Sequence, residues 1–139
     1  ATAEDAEKLY NFGMHIGVAF QLQDDLLDVY GDPKVFGKKI GGDILCNKKT
    51  YMLIKALEHA DEKQREDLNR WLDTEAFQPS EKIEAVTEIY NQLNIRNVCE
   101  NKMREYYTLA MESLAAVAVA EDRKKELKNL VKLLMYREM

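Results

Sequence analysis

F-Q-L-Q-D-D-L-L-D-V-Y-G-D, residues 20–32, is the stretch from which the rest of the chain can be read. Asp24, Asp25 and Asp28 interrupt a run of apolar residues with helical spacing. At about 3.6 residues per turn, Asp24 and Asp28 stand one turn apart on one face. Gln21 lies a turn before Asp24, and Asp25 lies about 100° around from it. Like charges at this spacing cost roughly 0.2–0.5 kcal/mol on an exposed helix. They also sit near the helix C-terminus, where the dipole repels carboxylates. A hard divalent cation would offset both effects. Mg²⁺ prefers carboxylate oxygens and shares them with waters and substrate phosphates. The plain alternative is a solvated acidic face.

The next stretch, residues 31–50, reads G-D-P-K-V-F-G-K-K-I-G-G-D-I-L-C-N-K-K-T. Gly31, Pro33, Gly37, Gly41 and Gly42 break the helix. Lys34, Lys38, Lys39, Lys48 and Lys49 bring positive charge to the same region. Glycines let backbone N–H groups approach an anion, and lysines add point charges. An acidic helix face followed by a basic, flexible loop suits a polyanion bridged to a metal; a solvated surface loop is the other reading.

Together the two stretches resemble the second aspartate-rich region of the trans-isoprenyl diphosphate synthases, the family of farnesyl and geranylgeranyl diphosphate synthases. The pattern is F-Q-x-x-D-D-x-x-D, then G-D, then G-K-x-x-G-x-D-I/L-x-x-x-K-x-T. It falls on Phe20, Gln21, Asp24, Asp25, Asp28, Gly31, Asp32, Gly37, Lys38, Gly41, Asp43, Ile44, Lys48 and Thr50. So many matches at fixed spacing are far more specific than a lone D-D-x-x-D. The family carries two such motifs on facing helices, and this chain has one. It also lacks the basic residues that precede the first motif in the family. The chain starts at Ala1, without a methionine. The expectation is therefore a single all-α domain over residues 1–139, the C-terminal half of a longer synthase. A complete half-size relative is the alternative.

The resemblance implies the isoprenoid synthase fold, Mg²⁺ as cofactor, and condensation of isopentenyl diphosphate with an allylic diphosphate. It implies a metal site of Asp24, Asp25 and Asp28, with Asp24 as a direct Mg²⁺ ligand and Asp28 assisting through water. Lys38 and Lys48 would contact the allylic diphosphate, with Lys39 as the alternative to Lys38. Phe20 and Gln21 would line the reacting face, so Gln21, Lys38 and Lys48 become the catalytic candidates. Arg137 could reach the mouth of the site. With only one motif, this chain alone is expected to be inactive. Two other classes stay open: a non-catalytic helical interaction module, which would bind neither Mg²⁺ nor diphosphate, and a class I terpene cyclase relative or regulatory synthase subunit. The N-D-x-x-S/T-x-x-x-E motif usual in cyclases is absent.

The remaining chain is consistent with this picture. Its 139 residues can bury a sizeable core, and 46% hydrophobic with 32% charged residues argues against disorder. A net charge of −5 makes a general nucleic-acid partner a poor fit. Cys46 and Cys99 match no zinc or redox spacing and read as free thiols of a cytoplasmic protein. No run of about 18 uncharged apolar residues is present, so no membrane span is expected.

Apolar periodicity predicts helices over residues 2–30, 49–60, 61–72, 97–119 and 123–136, with another opened by Pro79, Ser80 and Glu81 and closed near Asn94. Thr2 and Ser80 are the expected N-caps. Leu9, Phe12, Ile16, Ala19, Phe20, Leu27 and Tyr30 form the expected inner face of the first helix. Gly13 and Gly17, four apart, suggest close packing, either against another helix or beside a ligand. His15 reads as a packed or surface residue. A chain lacking the helices that would cover its first helix is expected to pair into a dimer or higher oligomer.

Overall fold

The structure, a computed structural model, describes residues 3–31, 40–117 and 121–135. The described residues form helices and connecting turns, without strands. In chain order the helices are α1 (Ala3–Tyr30), α2 (Gly42–Leu45), α3 (Tyr51–His59), α4 (Glu62–Asp73), α5 (Pro79–Gln92), α6 (Ile95–Ala115) and α7 (Glu121–Met135). None is long and apolar enough to cross a membrane. The chain divides into two compact units: Asp25–Glu100, and Ala1–Asp24 with Asn101–Met139.

In the Asp25–Glu100 unit, α5 is the central element, packed by α2, α3 and α4. Its buried residues are Lys82, Val86, Ile89 and Tyr90, at the i, i+4, i+7, i+8 spacing of one helix face. Three local devices set the helix ends. Thr50 caps α3, its Oγ1 accepting the Leu53 N–H at 3.1 Å. Asp61 and Gln64 form a reciprocal capping box at α4, at 2.7 and 2.9 Å. Asn94, at φ 55°, supplies the left-handed residue that ends α5.

Several boundaries differ from the sequence expectation. Helix α3 starts at Tyr51 because Thr50 is spent as its cap, which leaves Lys49 outside. Gln78, not Ser80, is the N-cap of α5. Proline, with its preset φ and no N–H to satisfy, takes N1 and puts Ser80 inside the helix. Helix α6 begins at Ile95, fully buried one residue after the Asn94 turn, and ends at Ala115. The glycine- and lysine-rich stretch expected as a flexible loop contains α2, a single helical turn. Thr2 lies outside the described residues.

The second unit holds most of α1 and α6, with α7. Phe12, Ile16, Ala19 and Leu22 of α1 are buried, as are Met103, Ala110 and Leu114 of α6. Lys124 donates to the Ala115 carbonyl at 3.3 Å and Lys8 to that of Ala116 at 3.3 Å, so cations meet the carbonyl end of α6. Leu9 is exposed rather than inward, because the buried face runs through Asp5, Phe12 and Ile16. A Cβ on Gly13 or Gly17 would meet nothing within 4 Å, so among the described residues no close packing requires either glycine. Tyr10, Gly13, Met14, Gly17, Val18, Gln21 and Asp24 are all exposed. They recur at i, i+3, i+4, i+7, i+8, i+11 and i+14, one open stripe ending at a carboxylate.

Candidate active site

Residues 25–29, toward the end of α1, are all buried. Asp25 is 5% exposed and Asp28 4%. A carboxylate in that environment needs partners. Lys48 Nζ supplies one for Asp25, at 3.4 Å from Oδ1. The backbone N–H of Asp43 supplies one for Asp28, donating to Oδ2 at 2.8 Å.

Three local features bring Asp43 and Lys48 to this end of α1. Gly41 takes φ 93°, a left-handed value that favours glycine, and its N–H donates to the Asp28 carbonyl at 2.6 Å. That turn starts α2 and aims the Asp43 N–H at Asp28. After α2 the chain turns at Asn47, φ 57°, and the Lys48 N–H donates to the Asp43 carbonyl at 3.0 Å. Lys48 Nζ also lies 3.7 Å from Asp43 Oδ2. Burial disfavours the charged ammonium more than any one neighbour favours it, but the charges of Asp25, Asp43 and Asp28 and the hydrogen bond to Asp25 together outweigh it and raise the Lys48 pKa. Tyr30 pins the same end of α1 to α5, its hydroxyl donating to Asn91 Oδ1 at 2.9 Å.

The structure therefore brings Asp25, Asp28 and Lys48 together, with Asp43 as a fourth member. Asp24 and Gln21 are exposed on α1, and Phe20 is half-buried. Lys38, Lys39 and Arg137 lie outside the described residues. Asp43 is legible in the sequence as part of the G-x-D-I pattern, but its role is visible only in the structure. Lys82 is absent from the candidates that the sequence motif supplies, although a lysine four residues before Val86 on an apolar face is a readable signal. It is 1% exposed, and it donates to Asn47 Oδ1 at 2.6 Å.

As a metal site the donor set is sparse. Among the described residues no group of three or more His, Cys, Asp or Glu could hold an ion. Asp24 offers an exposed carboxylate, while Asp25 and Asp28 have the partners above. Mg²⁺ binds through one or two carboxylates and completes its shell with water and phosphate. The residues thus fit a hard cation shared with a phosphorylated ligand, and they do not fit a closed protein cage.

Comparison with known proteins identifies the family. The family model for polyprenyl synthetase matches residues 1–93. The geranylgeranyl diphosphate synthase of Saccharolobus solfataricus is 31% identical over 138 residues, 99% of this chain and 41% of that protein. A crystal structure of a geranylgeranyl pyrophosphate synthase superimposes with a TM-score of 0.87 at 32% identity, over 97% of this chain and 42% of the other. The Corynebacterium glutamicum enzyme, solved with isoprenyl diphosphate and magnesium, gives 0.85 at 29% identity, over 99% and 39%. The chain spans about two-fifths of the length of these relatives. It belongs to the polyprenyl synthetase family.

Proposed function

We propose that this chain supplies the second aspartate-rich half of a Mg²⁺-dependent prenyltransferase that condenses isopentenyl diphosphate with an allylic diphosphate, in the cytoplasm. The observation that carries this reading is how the three aspartates differ. Asp24 is exposed at the end of an open stripe, while Asp25 and Asp28 are buried and held by Lys48 and the Asp43 N–H. Asp24 is then the carboxylate offered to Mg²⁺, with Asp28 acting through water. Asp25 chiefly orients Lys48.

Lys48, together with Lys38 or Lys39, binds the diphosphate of the allylic substrate. Gln21 and Phe20 face the reacting carbons, and the apolar stripe through Tyr10, Met14 and Val18 offers a surface to a hydrocarbon chain. When bound, Mg²⁺ supplies positive charge that stabilises pyrophosphate as it leaves. Interactions that strengthen during departure are the ones that raise kcat, and half of the acidic clamp cannot provide them. The chain alone is therefore inactive and retains only weak diphosphate binding, about millimolar, that falls with salt. Self-association is part of the same reading, since Tyr10, Met14, Leu130 and Leu133 are 51–69% exposed.

The test is to incubate the chain with isopentenyl diphosphate, an allylic diphosphate and Mg²⁺, alongside a pyrophosphate titration. No product, together with Mg²⁺-dependent pyrophosphate binding, is expected. Product above the no-enzyme control would overturn the half-site reading, and absence of any Mg²⁺-dependent binding would overturn the diphosphate site.

A further inference from the structure

Lys82 is an expensive residue in its position. Its side chain leaves the buried face of α5 with 1% exposure, and among the described residues no carboxylate pairs with it. Its ammonium donates to Asn47 Oδ1 at 2.6 Å and lies 4.5 Å from the centre of the Phe77 ring. Burial lowers its pKa, only partly countered by Cys46. An apolar side chain of the same length would fill the space without burying a charge. Stability therefore does not explain a lysine here, and its reach to the loop does.

Asn47 is the residue it reaches. Asn47 holds the left-handed turn between α2 and Lys48, and its Nδ2 donates to the Leu72 carbonyl at 3.2 Å. One side chain is thus gripped from two sides, by α5 through Lys82 and by the end of α4 through Leu72. Beneath the turn lies a cavity of about 20 Å³, lined in part by Lys82, Lys48, Thr50 and Tyr90. That is room for about one water and too little for a ligand. The lysine consequently serves the loop and not a separate pocket.

We propose that Lys82 is a positioning residue: by holding Asn47 it fixes the turn that presents Lys48 to Asp25 and Asp43. The role in substrate binding rests on the reading of Lys48 as a diphosphate ligand; the role in ordering the turn does not. Lys82 touches no reacting group. It acts through the Lys48 backbone, whose N–H donates to the Asp43 carbonyl and whose carbonyl accepts from Thr50.

The experiment uses this chain, with Lys82→Met, Asn47→Gly and the double variant. Glycine keeps the left-handed turn available and removes the acceptor. Three quantities are read: melting temperature, amide exchange of Lys48 and Thr50, and pyrophosphate affinity with Mg²⁺ followed by NMR. Lys82→Met is expected to melt no lower than wild type. Its Lys48 and Thr50 amides should exchange about tenfold faster while those of α5 are unchanged. Pyrophosphate affinity should weaken about tenfold. Asn47→Gly, which also removes the bond to the Leu72 carbonyl, should affect exchange and affinity at least as much, and the double variant no more than Asn47→Gly alone, because Lys82 acts only through Asn47. Unchanged Lys48 exchange in Lys82→Met would overturn the proposal. So would a lower melting temperature with protection lost across residues 25–100, since that makes Lys82 an ordinary core residue. If wild type binds no pyrophosphate, the diphosphate reading fails on its own, and the exchange data still decide the positioning role.

Discussion

Replacing Gly41 with alanine should disrupt the site without touching any charged residue. Two terms add. At φ 93° a side chain is strained, at about 1–2 kcal/mol for a left-handed residue. The new Cβ would also lie 2.6 Å from Cδ1 and 2.7 Å from Cγ1 of Ile83 on α5. Overpacking of this kind typically costs about 1–3 kcal/mol. Ile83 is half-buried and can partly rotate away, so the lower part of that range applies. The sum is about 2–3 kcal/mol. Urea denaturation is the assay, and with a slope of about 2 kcal/mol per molar the midpoint should fall by roughly 1 M. Adding Ile83→Ala separates the terms: it relieves the clash and leaves the backbone strain, so the two substitutions should couple favourably by about 1 kcal/mol. Because the Gly41 N–H holds the Asp28 carbonyl and starts α2, the Asp43–Asp28 hydrogen bond should weaken too. A Gly41→Ala midpoint within about 0.2 M of wild type would refute the argument.

Three further outcomes are expected. Asp61→Ala removes one side of the α4 capping box and should cost about 0.5–2 kcal/mol in the same urea assay. Cys99 is fully buried, and burial, with the nearby charges of Asp25 and Glu100, pushes its thiol from 9.0 up to about 12. The unfolded chain therefore ionises first, so stability should fall as pH rises from about 9 to 12, by up to about 1.4 kcal/mol per pH unit from this group, and Cys99→Ala should flatten that slope. In a complete synthase carrying this chain as its second aspartate-rich half, as proposed, Asp24→Asn should lower kcat by orders of magnitude and Asp25→Asn by less, measured as steady-state product formation; equal, small losses would argue against Asp24 as the metal ligand.

The candidate site was only partly legible before the fold was known. Asp24, Asp25 and Asp28 announced themselves as a triplet at helical spacing. Nothing in the spacing said which one faces solvent, because that depends on what surrounds the last turn of α1. The basic loop was visible as composition, but one lysine's role came from three-dimensional neighbours. Lys48 pairs with Asp25 across 23 positions of chain, and Lys82 reaches Asn47 across 35. Local pattern cannot encode such pairings, since partners so far apart along the chain share no spacing that would link them.

What the sequence determined by itself was the local chemistry. Apolar spacing predicted the long helices, Pro79 and Asn94 marked ends of α5, and the aspartate-glycine-lysine pattern pointed to the family. Those features act within a few residues, through helical periodicity, capping and restricted φ. Only the tertiary structure decided the rest. It exposed Leu9 instead of burying it, and it left Gly13 and Gly17 on open surface. It buried a lysine beneath the loop that carries Lys48. Burial and pairing are set by which helices pack together, and a packed neighbour is a property of the whole fold.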